Sequence, residues 1–221
     1  NIRISYGEVL IGRIWEDRPA LSAQPAWVLA EQYAGKCSRE KIADVREAMK
    51  KAHATVHVLT ALDDIAWLLN IRGDDILYNP VVLSYVVLTM DQLYLFINED
   101  VIRGRAYPYL DNDDSTTTRE YLEGIGVTIL PYDKVYDTVE GLRNEKVLLE
   151  KSRVNYAIYR LLDGSNKIID RMNPTALMKP IKNDVEIENV KKAHIKDGVA
   201  VTKFIYWLKK NIGKIPMDEL S

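Results

Sequence analysis

The sequence predicts an α/β domain, a mixed β-sheet with helices on both faces, followed by one long helix. Three observations lead there. Two runs rich in β-branched and aromatic residues, 81–90 and 93–97, are separated only by Asp91-Gln92 and read as an antiparallel hairpin. Short apolar runs then alternate with segments of helical spacing, the pattern of strands joined by crossover helices. Finally, residues 184–210 contain no proline and would span about 40 Å as a helix, at roughly 1.5 Å per residue.

Composition narrows the function classes. Lys plus Arg total 30 against 32 Asp plus Glu, a net charge of −2. That balance gives no basic footprint for nucleic acid and none for an anionic membrane surface. With 47% hydrophobic and 28% charged side chains, the 221 residues can bury a sizeable core. No apolar run reaches 18 residues, and the first residues lack the order of a signal peptide. Cys37 is the one cysteine, so no intrachain disulfide can form and a cytoplasmic setting is the simplest expectation. Asn1 in place of Met suggests a chain that starts inside a longer protein.

Residues 1–35 show no steady period and are punctuated by Gly12, Pro19, Pro25 and Gly35. They are expected to hold a strand fragment near residues 9–14 and then an irregular connector. WEDRP, residues 15–19, would be its hinge, read either as an inter-domain clamp or as a solvated turn with a packed Trp15. From Ser38 the spacing predicts a capped helix to about Ala52, with Ile42, Val45, Ala48 and Met49 as its buried stripe. Residues 54–59 shorten the period towards two and read as a strand.

Residues 60–80, TALDDIAWLLNIRGDDILYNP, combine two patterns. Leu62, Ile65, Ala66 and Leu69 recur at helical spacing, with Asp63 and Asp64 in the first turn where carboxylates favour the helix dipole. Gly73 and Asn79-Pro80 exclude helix beyond that point. The segment is therefore expected to deliver Trp67, Asn70 and Arg72 to an irregular loop. After the hairpin, residues 98–117 are the least regular stretch. A helix near 118–123 ending at Gly124, a strand at 127–130, a helix at 132–142, a strand at 146–150, a helix at 156–161 and a strand at 167–170 follow. The α/β domain is placed at about 36–175, and 176–221 are read as a linker and the long helix. That helix carries one apolar line through Val190, His194, Gly198, Val201, Ile205 and Leu208, and a second through Ile187, Ile195, Val199 and Tyr206. It is expected to need partners on two sides. Gly213 stops it, and Pro216 and the following residues read as the start of another helix.

Chemistry is sparse. His53 and His57 would share a metal only on a helix, and their segment reads as a helix end and a strand start. No HExxH, CxxC or GxSxG occurs. Asp111, Asp113 and Asp114 offer hard oxygen ligands but lack the glycine and terminal acid of a calcium loop. Cys37 has no evident partner histidine and reads as a surface thiol. The pairs Asp63/Asp64 and Asp74/Asp75 invite a two-metal site, against which stand the missing basic groove and the ordinary capping role of such acids. The more informative set is Trp67, Asn70, Arg72 and Tyr78. Trp67 could wall a neighbouring site and Arg72 could offer its fork to a carboxylate or carbonyl. The competing reading makes Trp67 ordinary core and pairs Arg72 with Asp74 or Asp75.

The block TALDDIAWLLNIRGDDILYNPVVLSYVVL, with IWEDRP and KIADVREAM upstream and KKAHIKDGVAVTKFIYWL downstream, resembles the three-domain Xaa-Pro aminopeptidases. These are the aminopeptidase P group of the pita-bread metallopeptidases, which carry creatinase-like N-terminal domains. The resemblance spans essentially the whole chain. It implies that 1–35 end a first creatinase-like domain, that 36–175 form a second, and that 176–221 open a truncated catalytic domain. It further implies release of the N-terminal residue from peptides with proline second, by a water activated between two divalent metal ions, often manganese. The family's metal ligands lie beyond this chain, so none is assigned here and the segment itself is expected to be inactive. His194, in AHIKDG, matches that domain's first helix and not the ligand histidine. Trp67, Asn70, Arg72 and Tyr78 become candidates for substrate access or a subunit interface, with a homodimer implied. Two alternatives are a catalytically dead peptide-binding module, as in the large subunit of the FACT histone chaperone, and a creatinase-like amidinohydrolase.

Overall fold

A computed structural model describes residues 10–110 and 115–218. In place of the strand fragment expected near residues 9–14, Leu10–Ile14 form a one-turn helix, α1. Ile11 and Ile14 are exposed, and among the described residues no strand lies alongside them. β-branched residues favour a strand only where a ladder and a packed face exist, so here the local turn wins. The turn is solvated, but its Trp15 is not packed as expected: it is half exposed, with Arg18 6.0 Å from its ring centroid.

The connector then folds onto the domain. Strand β1 (Trp27–Val28) is followed by the single-turn helix α2 (Glu31–Ala34), which ends at Gly35 in the left-handed region with φ 64°. Helix α3 (Ser38–Lys51) is capped by Cys37, whose sulfur accepts from the Glu40 amide while the Glu40 carboxylate reaches back to the Cys37 N–H. The cysteine expected to be a surface thiol is thus half-buried at a helix start. Ser38, the expected cap, is instead the first residue inside the helix, buried and bonded to the Tyr121 hydroxyl (2.9 Å).

Strand β2 (Val56–Leu59) leads to α4 (Leu62–Leu69) and the short β3 (Ile71–Arg72), which pairs antiparallel with β1. The predicted hairpin is present as β4 (Ser84–Thr89) and β5 (Leu93–Ile97), followed by a 3₁₀ turn, Glu99–Ile102. Alternation continues with α5 (Thr118–Gly124), β6 (Val127–Pro131), α6 (Lys134–Glu140), β7 (Lys146–Leu149), α7 (Tyr156–Leu161) and β8 (Lys167–Asp170). Helix α8 (Pro174–Met178), which periodicity did not reveal, starts with proline where its missing N–H costs nothing. The long helix α9 (Asp184–Asn211) closes the fold.

Six strands form one mixed sheet in the order β6-β5-β4-β2-β7-β8. The hairpin and β2 supply its antiparallel ladders, while β6, β7 and β8 add in parallel. Because side chains alternate across a strand, β4 sends Val86 and Leu88 to one face and Val87 to the other. The first face packs on α3, α4 and α5 through Val45, Met49, Ile65, Leu69 and Leu122. The second packs on α6 and α7 through Val135, Val139 and Ile158. Each such side chain contributes about 1.5–3 kcal/mol on full burial.

The end of the chain departs from expectation. None of the residues of α9 is buried, so neither of its two apolar lines is covered, and His194 is exposed. Residues 216–218 are not helical, and the expected helix start otherwise falls on residues outside the described ones, as do Asp111, Asp113 and Asp114.

Candidate functional site

Three of the four residues singled out in 60–80 meet around a lysine that was not. Lys41 shares a stripe of α3 with Val45 and Met49, four and eight residues on, and is only 2% exposed. Its Nζ donates to Asn70 Oδ1 (2.7 Å) and to the Trp67 carbonyl (3.0 Å), and lies 4.6 Å from the centre of the Trp67 ring. A cation is well placed there, against the last carbonyls of α4 and an indole face. Asn70 ends α4 in the left-handed region, φ 52°, a conformation asparagine tolerates better than most residues. Its Nδ2 donates in turn to the Lys36 carbonyl (3.0 Å), so one buried amide ties the end of α4 to the start of α3.

Arg72 is the second cation of the cluster. The structure removes its expected pairing with Asp74 or Asp75, because the residue lies in β3 and not in an irregular loop. Its Nη1 donates to the Ala66 carbonyl (2.8 Å) and the Ile71 carbonyl (2.9 Å). Asp75 instead accepts from Leu83 N (2.8 Å) and Gln24 N (3.2 Å), pinning the loop that follows. Glu186, in the first turn of α9, faces both Lys41 and Arg72 and favours their charged forms. Burial outweighs it. The Lys41 ammonium, desolvated and also repelled by Arg72, Lys36 and Lys182, is pulled down to about 8, and burial lowers Arg72 in the same direction. A cavity of about 310 Å³ lies at this junction, lined in part by Lys41, Trp67, Asn183 and Glu186.

Tyr78 makes none of these contacts. It is 97% exposed, with φ 63°, at the tip of a loop that also exposes Ile76 and Leu77. The Asp63/Asp64 pair binds the segment entering α9: Lys179 pairs with both, reaching the buried Asp64 at 2.9 Å. His57 is buried inside β2, bonded through Nδ1 to the Leu148 carbonyl (3.0 Å), while His53 lies outside the strand with φ 55°. Among the described residues no group of three or more His, Cys, Asp or Glu is arranged to hold a metal ion. A roomier cavity of about 440 Å³ opens at the ends of β5 and β6, beside Asn98, Tyr132 and Asp133, away from this cluster.

The arrangement can orient the end of α4 against α3. Two of the three Lys41 N–H donors go to Asn70 Oδ1 and the Trp67 carbonyl, which makes the side chain a cross-link between α3 and the end of α4. The signal that would have found Lys41 is its position i−4 from Val45, a charged residue set in the apolar stripe of an amphipathic helix.

Comparison with known proteins places these features. The creatinase/prolidase N-terminal domain family matches residues 17–186. The chain is 36% identical over 216 residues to Xaa-Pro aminopeptidase 1 of Dictyostelium discoideum, covering 93% of this chain and 32% of that protein. It is likewise 36% identical over 217 residues to a probable Xaa-Pro aminopeptidase P of Laccaria bicolor, covering 95% and 31%. Among solved structures, the X-prolyl aminopeptidase of Caenorhabditis elegans, described as a cytosolic enzyme with a di-nuclear active site, superposes with a TM-score of 0.80 at 29% identity. That match covers 94% of this chain and 33% of the neighbour. The chain thus spans about a third of the length of the curated relatives it matches.

Proposed function

We propose, from the premise that the chain belongs to the creatinase/prolidase N-terminal domain family, that it is the non-catalytic segment of a metal-dependent Xaa-Pro aminopeptidase. The observation that carries the reading is likeness over 93–95% of the chain to Xaa-Pro aminopeptidases of about three times its length. In this reading residues 1–35 end a first domain, 36–175 form a second onto which the connector folds, and 176–221 lead into the catalytic part. The exposed Phe204, Ile205, Tyr206 and Trp207 on α9 support it, because a helix so apolar is stable in water only when something covers it.

The residues present do not fit the two metal ions that such an enzyme uses, since the described part of the chain offers no ligand cluster. The ions, manganese in this proposal, would belong to the remainder of the protein. This segment would contribute position: Lys41, Asn70 and Arg72 hold the end of α4 rigid beneath α9. Trp67 is a wall of the junction, and Tyr78, on its exposed tip, is a contact for substrate entry or for a second subunit of a homodimer. A cytosolic location follows the worm enzyme's description. The relatives named above are aminopeptidases, which gives the histone-chaperone alternative no support.

The test is hydrolysis by the full-length protein of two tripeptides that differ only in proline or alanine at the second position, with metal removed and manganese restored. Metal-dependent release of the first residue from the proline peptide alone is expected. Equal cleavage of both, or of neither, would overturn the reading.

A further inference from the structure

The chain enters α9 through Asn183, and one side-chain amide serves two helices. Its Oδ1 accepts from Glu186 N (2.9 Å), and its own backbone N–H donates to Glu186 Oε2 (3.0 Å), closing a capping box at the start of α9. Its Nδ2 donates to the Ala34 carbonyl (2.9 Å), one of the terminal carbonyls that the end of α2 leaves without a helical partner. Further along α9, Asn189 Nδ2 donates to the Gln32 carbonyl of α2 (3.1 Å).

Gly35 completes the fitting. Its φ of 64° suits glycine, and a Cβ there would lie 2.7 Å from Asn183 Cγ and 2.8 Å from Asn183 Nδ2, a space only a hydrogen leaves open. α2 is the element α9 contacts most, and no residue of α9 is buried, so these amide bonds are direct polar links that tie its direction to the domain. Glu186, held in the same box, is also the residue facing Lys41 and Arg72.

We propose that Asn183, seated against Gly35, is a positioning residue: it sets the direction of α9 relative to the sheet domain, and thereby the placement of whatever the helix carries. Its consequence for peptide turnover rests on the reading that α9 leads into the catalytic part. The lever is long. Over the 20 residues from Asn183 to Lys203, a helix is about 30 Å, so a swing of about 20° moves the far end about 10 Å.

The test separates capping from latching with Asn183→Asp, which keeps the oxygen that caps α9 but loses the donor to Ala34. Spin labels go on exposed Lys50→Cys and Lys203→Cys in a Cys37→Ser background, serine preserving that cap. The label-to-label distance distribution of the 221-residue chain is expected to be narrow with Asn183. It should shift or broaden by about 10 Å with Asn183→Asp, and again with Gly35→Ala, at unchanged helix content. In the full-length protein the same variants should lower kcat at least tenfold with KM within about twofold, while Asn183→Ala with Gly35 intact also loses helix at the start of α9. Distances unchanged by both Asn183→Asp and Gly35→Ala would overturn the latch. A parent without Xaa-Pro hydrolysis would sink the peptidase reading and leave the distances to decide the latch on their own.

Discussion

Replacing Lys41 by methionine should change stability in a pH-dependent way that surface lysines cannot mimic. Methionine keeps the length and apolar stem but removes the titrating group, and it leaves Asn70 Oδ1 and the Trp67 carbonyl without their donor. In the folded protein Lys41 titrates at about 8 against an ordinary 10.5, because burial disfavours the ammonium. A folded pKa that is depressed means that, between pH 8 and 10.5, the unfolded chain holds a proton the native state has lost. Stability relative to the variant must therefore rise with pH across that window and be lost as pH falls through 8. A displacement of about 2.5 in pKa corresponds to about 3 kcal/mol. The assay is urea denaturation of wild type and Lys41→Met followed by circular dichroism at pH 7, 8, 9 and 10, where the ionisations common to both cancel in the difference. At pH 7 the two should lie close together, since the variant escapes the cost of a buried charge while leaving two acceptors unpaired. By pH 10 wild type should be ahead by roughly 2–3 kcal/mol. Stability curves that run parallel from pH 7 to 10 would refute the burial argument.

Three further perturbations probe the surroundings. Asp64→Ala, removing a carboxylate only 1% exposed and leaving Lys179 without it, is expected to cost about 3 kcal/mol by denaturation, whereas Asp63→Ala, at a half-exposed partner, should cost under about 1 kcal/mol. Burial lowers the His57 pKa, so as pH falls below 6.5 the unfolded chain takes up a proton the native state resists; wild type should lose stability relative to His57→Asn in acid, and equal acid sensitivity would contradict this. Arg72→Ala removes one of the cations that hold Lys41 down, so the onset of the Lys41-dependent rise should move to higher pH; in the full-length protein turnover should fall more than stability, and a variant that loses only stability would reduce Arg72 to a structural group.

Much of this architecture is legible in the sequence because it depends on local patterns. The hairpin follows from β-branched runs around Asp91-Gln92, and α4 from Leu62, Ile65, Ala66 and Leu69 recurring before Asn70. What is not legible depends on partners distant in the chain. Ile11 and Ile14 suggest a strand, yet among the described residues no strand lies beside them and a helical turn forms. Arg72 has two aspartates close by in sequence, but β1 draws it into a two-stranded ladder and its guanidinium turns back to carbonyls near the end of α4. Lys41 is unremarkable in composition and acquires its meaning only when α3 brings it under Asn70 and Trp67, 29 and 26 residues away. The apolar lines of α9 are visible as periodicity, but what covers them is not encoded in the periodicity.

The most direct test of the proposal compares two preparations on one Xaa-Pro tripeptide, the full-length protein and the 221-residue chain, each with manganese supplied. The full-length protein should release the first residue while the chain alone, folded by circular dichroism, releases none. Cleavage by the chain alone, or an intact peptide with the full-length protein, would contradict the assignment of catalysis to the part of the protein that α9 leads into.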